Sequence, residues 1–113
     1  MAEQVRYVRE DELDEFERFL ERCFGHGRYF FRRHYPDISL PEIVTSSCLV
    51  LEKDGRIVSH VGTYYMEIVV GAAKIPCGGV GGVATLPEER GKGYMSRLMR
   101  ESIRIMRERG YAL

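Results

Sequence analysis

The spacing of hydrophobic and polar residues changes along the chain, and each change predicts a new element. Residues 4–9 alternate with a period of two, which predicts a first strand. Apolar residues then recur at helical spacing from Leu13 to Phe24, with Asp11 as a candidate N-cap and Gly25 as the expected end. The chain therefore begins with a predicted strand and a predicted amphipathic helix.

The middle of the chain predicts an antiparallel hairpin. Residues 28–45 are aromatic and basic, and we expect a short helix followed by a loop there. Residues 46–52 read as a strand, and the Asp54-Gly55 pair is a strong hairpin turn signal. The partner strand is predicted over residues 56–70, and a further strand over residues 74–86.

Glycines interrupt the last of these strands, which predicts a β-bulge or a close backbone approach. The glycines concerned are Gly78, Gly79, Gly81 and Gly82. A helix follows from Tyr94 to Arg109, with Gly110 placed to end it. Residues 111–113 read as the beginning of another strand.

Composition limits the classes of protein that fit. The chain has 113 residues, enough for one small domain, and its 17 basic and 17 acidic residues cancel. Zero net charge argues against a nucleic-acid-binding protein. The three cysteines are far apart and lack metal-ligand spacing, so we expect no metal. A charged N-terminus and the lack of a long apolar run predict a cytoplasmic protein without a membrane anchor.

The segment from Val83 to Ser96 carries the strongest chemical signal. A strand ends in a proline turn, and a loop with Gly91, Gly93, Arg90 and Lys92 leads into a helix. Unpaired N–H groups at a helix N-terminus attract anions, and glycines let the backbone approach them. The spacing fits neither a Walker A loop nor a dinucleotide fingerprint. The segment therefore predicts a site for a phosphate or pyrophosphate.

The same residues resemble the GNAT N-acetyltransferase superfamily. Its signature, Q/R-x-x-G-x-G/A, reads Glu88 to Gly93 in this chain, with both glycines in place and glutamate at the first position. The wider form VATxPxxRGxG most resembles the enhanced intracellular survival branch. The resemblance covers residues 4–113, and it implies an α/β fold with a mixed, mostly antiparallel sheet flanked by helices and cut off at its fifth strand.

The resemblance also implies a co-substrate and a set of binding residues. Acetyl-CoA would place its pantetheine arm against the backbone of Val83, Ala84 and Thr85. Its pyrophosphate would lie in a cradle made mostly of main-chain N–H groups, formed by Arg90, Gly91, Lys92, Gly93, Tyr94, Met95 and Ser96. The implied reaction is direct transfer of the acetyl group from the thioester to an amine of a small molecule or a protein.

The sequence does not identify the catalytic residues. Glu67, His60 and Tyr64 on the third strand are candidate general bases by location only, and each also has an ordinary structural interpretation. In the resembled family, the tyrosine that protonates the departing thiolate lies further downstream. Tyr111 comes too early to take that part.

The resemblance implies further elements beyond residue 113. We therefore expect residues 1–113 to be the N-terminal, acetyl-CoA-binding part of the domain, inactive alone, and either joined to a longer chain or present as a homo-oligomer. One alternative is a non-catalytic acyl-CoA-binding or oligomerisation module of the same fold.

The segment RYFFRRHY, residues 28–35, supports a second alternative. Interleaved aromatic and cationic residues are typical of single-strand nucleic-acid platforms, although the neutral net charge disfavours that function. The segment is also compatible with an acceptor pocket. Its simplest interpretation is packing of Tyr29, Phe30 and Tyr35 with the arginines facing water.

Overall fold

A four-stranded antiparallel sheet organises the molecule, in a computed structural model that describes residues 3–35 and 40–111. The strands are β1 (Glu3–Tyr7), β2 (Cys48–Lys53), β3 (Arg56–Val70) and β4 (Ala73–Thr85), and they lie in that order across the sheet. The helices are α1 (Leu13–Phe24), α2 (Phe30–His34), α3 (Pro41–Ser47) and α4 (Tyr94–Glu108). Short 3-10 turns precede α1 (Glu10–Glu12) and α4 (Pro87–Glu89).

Helices cover both faces of the sheet. Successive side chains of a strand point to opposite faces. On β3, His60 meets the ring of Phe16 from α1, with ring centroids 4.8 Å apart. Tyr65 meets Tyr111, which follows α4, with centroids 5.3 Å apart. The sheet therefore lies between α1 on one face and α4 on the other.

The core lies where both faces are covered. Residues 48–51 of β2 and 57–61 of β3 are all buried, without the alternation of a half-exposed strand. Phe16 from α1 and Leu98 from α4 are completely buried against them. This central part of the sheet holds the end of β4, and hence the start of α4, in a fixed position.

Most of the predicted elements are confirmed. The bounds of β3 match the prediction at both ends, and α4 ends one residue earlier than expected. Gly25 has a left-handed φ of 70° and ends α1 as predicted. The prediction that Asp11 is the N-cap of α1 is wrong. Asp11 lies inside the 3-10 turn, and the N-cap of α1 is Glu12.

Two further expectations about the segment after α1 are wrong. Residues 41–47 form a helix, where a loop was expected to residue 45 and a strand from residue 46, because Pro41 stands at the first turn, where a missing N–H costs nothing. Phe30 is partly buried against the core as expected, but Tyr29 and Tyr35 are exposed, and Phe31 is the buried ring, with its centroid 5.8 Å from that of Phe24. Tyr29 takes a left-handed φ of 66° just before α2, which turns the helix so that Phe31 faces α1.

The outer part of the β3–β4 hairpin extends beyond the helices. Tyr65, Met66, Val69 and Val70 are all exposed there, so this part of the hairpin presents apolar surface. Within residues 3–35 and 40–111, no helix combines the length and apolar character needed to cross a bilayer. Residues 112 and 113 of the predicted fifth strand lie outside the described residues, and Tyr111 is not in a strand.

Leu98 anchors α4 on the sheet, and its truncation should destabilise the protein. The side chain is completely buried, so Leu98→Ala should lower the free energy of unfolding by about 2–5 kcal/mol. Ile103 lies on the same helix but is 50% exposed, and Ile103→Ala should cost less than about 1 kcal/mol. Urea unfolding of both variants measures the difference. Equal losses would show that α4 does not pack as described.

Candidate functional site

The start of α4 is shaped by two glycines in the left-handed region. Gly91 has φ of 79° and Gly93, the N-cap of α4, has φ of 81°. A Cβ added to either would meet no atom within 4 Å. Glycine is therefore required here by the backbone conformation and not by close packing.

The first turn of α4 leaves backbone donors unused inside the helix. The N–H of Arg97 donates to the carbonyl of Gly93 at 3.2 Å, which is the first bond of the helix. The preceding N–H groups, of Tyr94, Met95 and Ser96, have no intrahelical acceptor, and the helix dipole adds partial positive charge. The residues that carry these donors line a cavity of about 280 Å³, together with Thr85, Glu89, Arg90 and the two glycines. We call this cavity the α4 cradle.

A buried carboxylate holds the turn before the cradle. Glu89 is 6% exposed and accepts hydrogen bonds from Lys53 at 2.8 Å and from Lys92 at 2.9 Å. The hydrogen bonds from Lys53 and then Lys92 lower the pKa of Glu89 below its ordinary value. Because Lys53 is the last residue of β2, this cluster ties the turn to the sheet.

The two cations predicted for the loop have different roles in the structure. Lys92 is paired with Glu89, whose single negative charge it shares with Lys53, and it does not line the α4 cradle. Arg90 is exposed and lines the cradle, and its Nε donates to the neutral carbonyl of Thr85 at 3.3 Å. The charge of Arg90 is therefore available to an anion.

Two more contacts fix the direction of α4. The hydroxyl of Tyr94 donates to Glu3 at 3.2 Å, and the guanidinium of Arg97 donates to the other oxygen of the same carboxylate at 3.0 Å. Tyr94 is buried, so its side chain anchors the helix to β1 while its backbone faces the cradle. Sequence spacing could not have identified Glu3 as the shared partner of these two side chains.

Glu88, where the resembled signature has glutamine or arginine, has a structural role. It bridges Arg22 of α1 at 2.8 Å and Arg56 of β3 at 2.6 Å. Its own backbone N–H, Arg56 and Arg22 all lower the pKa of this carboxyl group. The departure from the signature therefore comes with two ion pairs that connect the turn to both neighbouring elements.

The predicted bulge is confirmed, and it lies just before the end of β4. His60 pairs with Ala84 and Gly62 with Gly81, so Gly82 and Val83 together face a single residue of β3. Gly82 has φ of 61°. The extra residue of the bulge disrupts the ladder of hydrogen bonds at this point of β4.

The residues proposed to contact the pantetheine arm differ in exposure. Val83 is exposed at the bulge, whereas Ala84 is buried and its carbonyl accepts from Ser59 at 3.2 Å. Thr85 is half-buried, and its hydroxyl pairs with that of Ser59 at 2.8 Å. Thr85 also lines the α4 cradle, so the end of β4 leads directly into it.

His60 supports the bulge from inside the sheet. Its Nδ1 donates to the carbonyl of Gly82 at 2.7 Å, so the neutral ring carries its proton on Nδ1. Burial lowers the pKa of His60 to about 4. Its Nε2 is buried and has no hydrogen-bond partner among the described residues.

The three candidate bases lie in two different places. His60 and Tyr64 line a cavity of about 690 Å³ on the α1 face of the sheet, next to Gly82. Glu67 is exposed on the outer hairpin opposite Pro76, and it lines neither this cavity nor the α4 cradle. The structure therefore brings His60 and Tyr64 together and leaves Glu67 apart.

Comparison with known proteins matches this architecture. The family model of the acetyltransferase (GNAT) domain matches residues 4–113. The chain therefore belongs to the GNAT acetyltransferase family. No curated protein matches the chain significantly.

Solved structures share the fold. A GCN5-related N-acetyltransferase from Kribbella flavida superposes with a TM-score of 0.82 at 26% identity, covering 97% of this chain and 28% of that one. A GNAT family acetyltransferase from Brucella melitensis, solved with acetyl-CoA, superposes with a TM-score of 0.72 at 23% identity. That superposition covers 97% of this chain and 71% of the Brucella chain. The chain thus spans about 28% of the length of the first of these relatives.

The branch within the family stays a prediction. Eis1 from Mycobacterium abscessus superposes with a TM-score of 0.73, covering 97% of this chain and 26% of that chain. At 14% identity, this likeness shows a shared fold and does not distinguish one branch from another.

The buried ring of His60 should make stability depend on pH. Its pKa falls from 6.5 to about 4 on folding, so the unfolded chain binds the proton more readily. The contribution of this ring to the free energy of unfolding is present above pH 6.5 and is lost as the pH falls toward 4. We expect a loss of about 2 kcal/mol between about pH 7.5 and about pH 5.

His60→Asn is the matched control, because an amide keeps a donor for the Gly82 carbonyl but does not titrate. Urea unfolding of both proteins over this pH range measures the difference. Over the same pH range, the free energy of unfolding of the variant should fall by about 2 kcal/mol less than that of the natural protein. Parallel pH profiles would refute the buried, neutral ring.

Proposed function

We propose that this chain is the acetyl-CoA-binding, N-terminal part of an acetyl-CoA-dependent N-acetyltransferase that transfers the acetyl group directly to an acceptor amine. The observation that carries the proposal is the α4 cradle. It combines unpaired helix N–H groups, two left-handed glycines and the exposed Arg90 at the end of β4.

The cradle suits a pyrophosphate better than a single carboxylate. Its donors come from three successive backbone N–H groups of a helix of 15 residues, and they form a concave surface that complements several anionic oxygens. Lys53, Glu89 and Lys92 hold the turn rigid, so little conformational entropy is lost when the anion binds. The residues at this site therefore fit the diphosphate of coenzyme A.

The bulge in β4 suits the extended part of the same molecule. Val83 is exposed where the ladder to β3 is disrupted, and Thr85 leads from there into the cradle. An extended chain with amide groups can hydrogen-bond to strand backbone that lacks a partner. We therefore propose that Val83, Ala84 and Thr85 contact the pantetheine arm.

The proposed chemistry is a single acyl transfer. The unprotonated amine nitrogen attacks the thioester carbonyl carbon, a C–N bond forms and the C–S bond breaks. The nitrogen loses one proton, and the departing thiolate gains one. The products are an amide and the free thiol of coenzyme A.

His60 is better suited to positioning than to proton transfer. A ring with a pKa of about 4 is a weak base at neutral pH, and its Nε2 is shielded from solvent. Its hydrogen bond to Gly82 instead holds the bulge in shape. Tyr64 lines the neighbouring cavity and is the better placed of the two for contact with an acceptor.

The proposal includes a larger catalytic unit. The chain spans about 28% of the length of the Kribbella relative, and we propose that turnover needs elements that are not in this chain or another copy of it. A non-catalytic acyl-CoA-binding module would bind coenzyme A and show no turnover in any assembly. Turnover measured with and without those elements separates the two functions.

Gly93→Val should remove the cradle without preventing the helix from forming. A β-branched residue at φ of 81° is strained, so the loop must change its conformation. We expect acetyl-CoA affinity, measured by calorimetry, to fall at least tenfold. Gly55→Val is the matched control, because Gly55 also has φ of 81° and open space around it but lies in the β2–β3 turn.

Both variants should lose similar stability, about 1–2 kcal/mol, and only Gly93→Val should lose affinity. An unchanged affinity in Gly93→Val, with the helix content preserved by circular dichroism, would show that this loop is not the phosphate site.

A comparison of Arg90→Ala with Lys92→Ala tests whether a cation without an ion-pair partner among the described residues contributes more to acetyl-CoA binding than a cation paired with a carboxylate. Arg90→Ala should weaken acetyl-CoA binding by about 1–2 kcal/mol at low salt, and the loss should shrink as salt rises. Lys92→Ala should weaken it less, because Lys92 is paired with Glu89 and does not line the cradle. Calorimetry at two salt concentrations measures both. Equal effects, or a loss that salt does not change, would contradict this assignment.

A further inference from the structure

The second cavity, of about 690 Å³, lies on the α1 face of the sheet and differs in chemistry from the α4 cradle. Its floor is formed by His60 and Tyr64 of β3 with Gly81 and Gly82 of β4. Its walls come from α1, α2 and the loop between them, and they are mostly aromatic. The rings concerned are Phe24, Phe30, Phe31, Tyr35, His26 and His34.

The aromatic walls are organised by ring contacts. Phe30 is stacked between His26 and His34, with centroid distances of 3.6 Å and 4.3 Å. Phe31 packs edge-on against Phe30 at 5.3 Å. The cavity therefore has fixed, flat walls that suit a planar apolar group.

The charges around the cavity disfavour a polycation. Among the described residues that line it, none is acidic, so the cost of removing water from ammonium groups there rises with the number of those groups. The carboxylates of Glu17 and Glu21 on α1 do not line the cavity. Oε1 of Glu17 pairs with Arg32 at 2.6 Å, whereas its buried Oε2 has no hydrogen-bond partner among the described residues, and Glu21 accepts from the N–H of Tyr29 at 2.7 Å. An acceptor with several ammonium groups would lose its hydration there without compensation.

The polar groups are concentrated on the floor. Tyr64 and the backbone of Gly81 and Gly82 lie there, whereas the walls offer mainly ring surfaces. His60 contributes ring surface and no free polar atom, because its Nδ1 is bonded to Gly82 and its Nε2 is buried. A ligand that fits this arrangement has one polar end and one flat apolar end. Its polar end would point toward the bulge in β4, where the proposed function puts the acyl donor.

We propose that this cavity binds the acceptor and selects a monoamine carried on an aromatic group, in preference to polyamines or other polycationic amines. The proposal rests on the proposed function, because it treats the cavity as the acceptor side of the same site. It follows from the flat aromatic walls, the lack of acidic groups in the described lining and the polar floor beside Gly82.

Binding of two probe amines tests the proposal without requiring turnover. Calorimetry or NMR titration of the protein, with coenzyme A present, should show 2-phenylethylamine binding at least tenfold more tightly than spermidine. Tighter binding of spermidine, or no binding of 2-phenylethylamine, would overturn the proposal. Coenzyme A is titrated alone first, so that failure of the donor site is seen separately from failure of the acceptor cavity.

A matched pair of variants locates the amine. Tyr35 lines the cavity and is 56% exposed, so Tyr35→Ala should leave the fold intact and weaken 2-phenylethylamine binding at least threefold. Tyr65 is 55% exposed and does not line the cavity, so Tyr65→Ala should leave the affinity unchanged. Equal effects of the two variants, or a loss only in Tyr65→Ala, would place the amine elsewhere and contradict the proposal.

Discussion

The ion cluster around Glu89 is the contact on which the arrangement of the candidate site depends. A buried carboxylate is costly unless it is paired, and Glu89 is paired twice, with Lys53 at the end of β2 and with Lys92 in the loop. The cluster fixes the turn between β4 and α4 relative to the sheet. Gly91 and Gly93 then give the loop a shape in which the free N–H groups of α4 line one cavity with Thr85. Without that anchor, the same glycines would make the loop flexible instead of preorganised.

A second constraint connects the two cavities. The bulge at Gly82 and Val83 disrupts the ladder between β3 and β4, and His60 holds the carbonyl of Gly82 from within the sheet. His60 and Gly82 also line the cavity of about 690 Å³ with the aromatic walls. The same few residues therefore shape both the exposed end of β4 and the floor of that cavity. In the proposed function, this is how the acyl donor and the amine would meet beside β4.

The sequence predicted the features that depend on local chemistry. The strand over residues 56–70, the Asp54-Gly55 turn and the bulge in the glycine-interrupted strand each have a local cause, and each is confirmed. The helix at Pro41–Ser47 was missed, since its aliphatic and polar residues are too few to show a period. The burial of Phe31 instead of its neighbours depends on the left-handed Tyr29, which a propensity argument does not anticipate. The roles of Glu3, Lys53 and Glu89 depend on long-range contacts, and the sequence gives only the close spacing of Glu89 and Lys92.

The central claim is that the end of β4 and the start of α4 together bind one extended anionic molecule. Titration of coenzyme A into ¹⁵N-labelled protein, followed by amide NMR, tests this most directly. The account predicts that the largest shift changes occur at the amides of residues 83–85 and 90–96, with smaller changes on the outer β3–β4 hairpin. Saturable changes concentrated on α2 or the outer hairpin, or the lack of any saturable change, would contradict it.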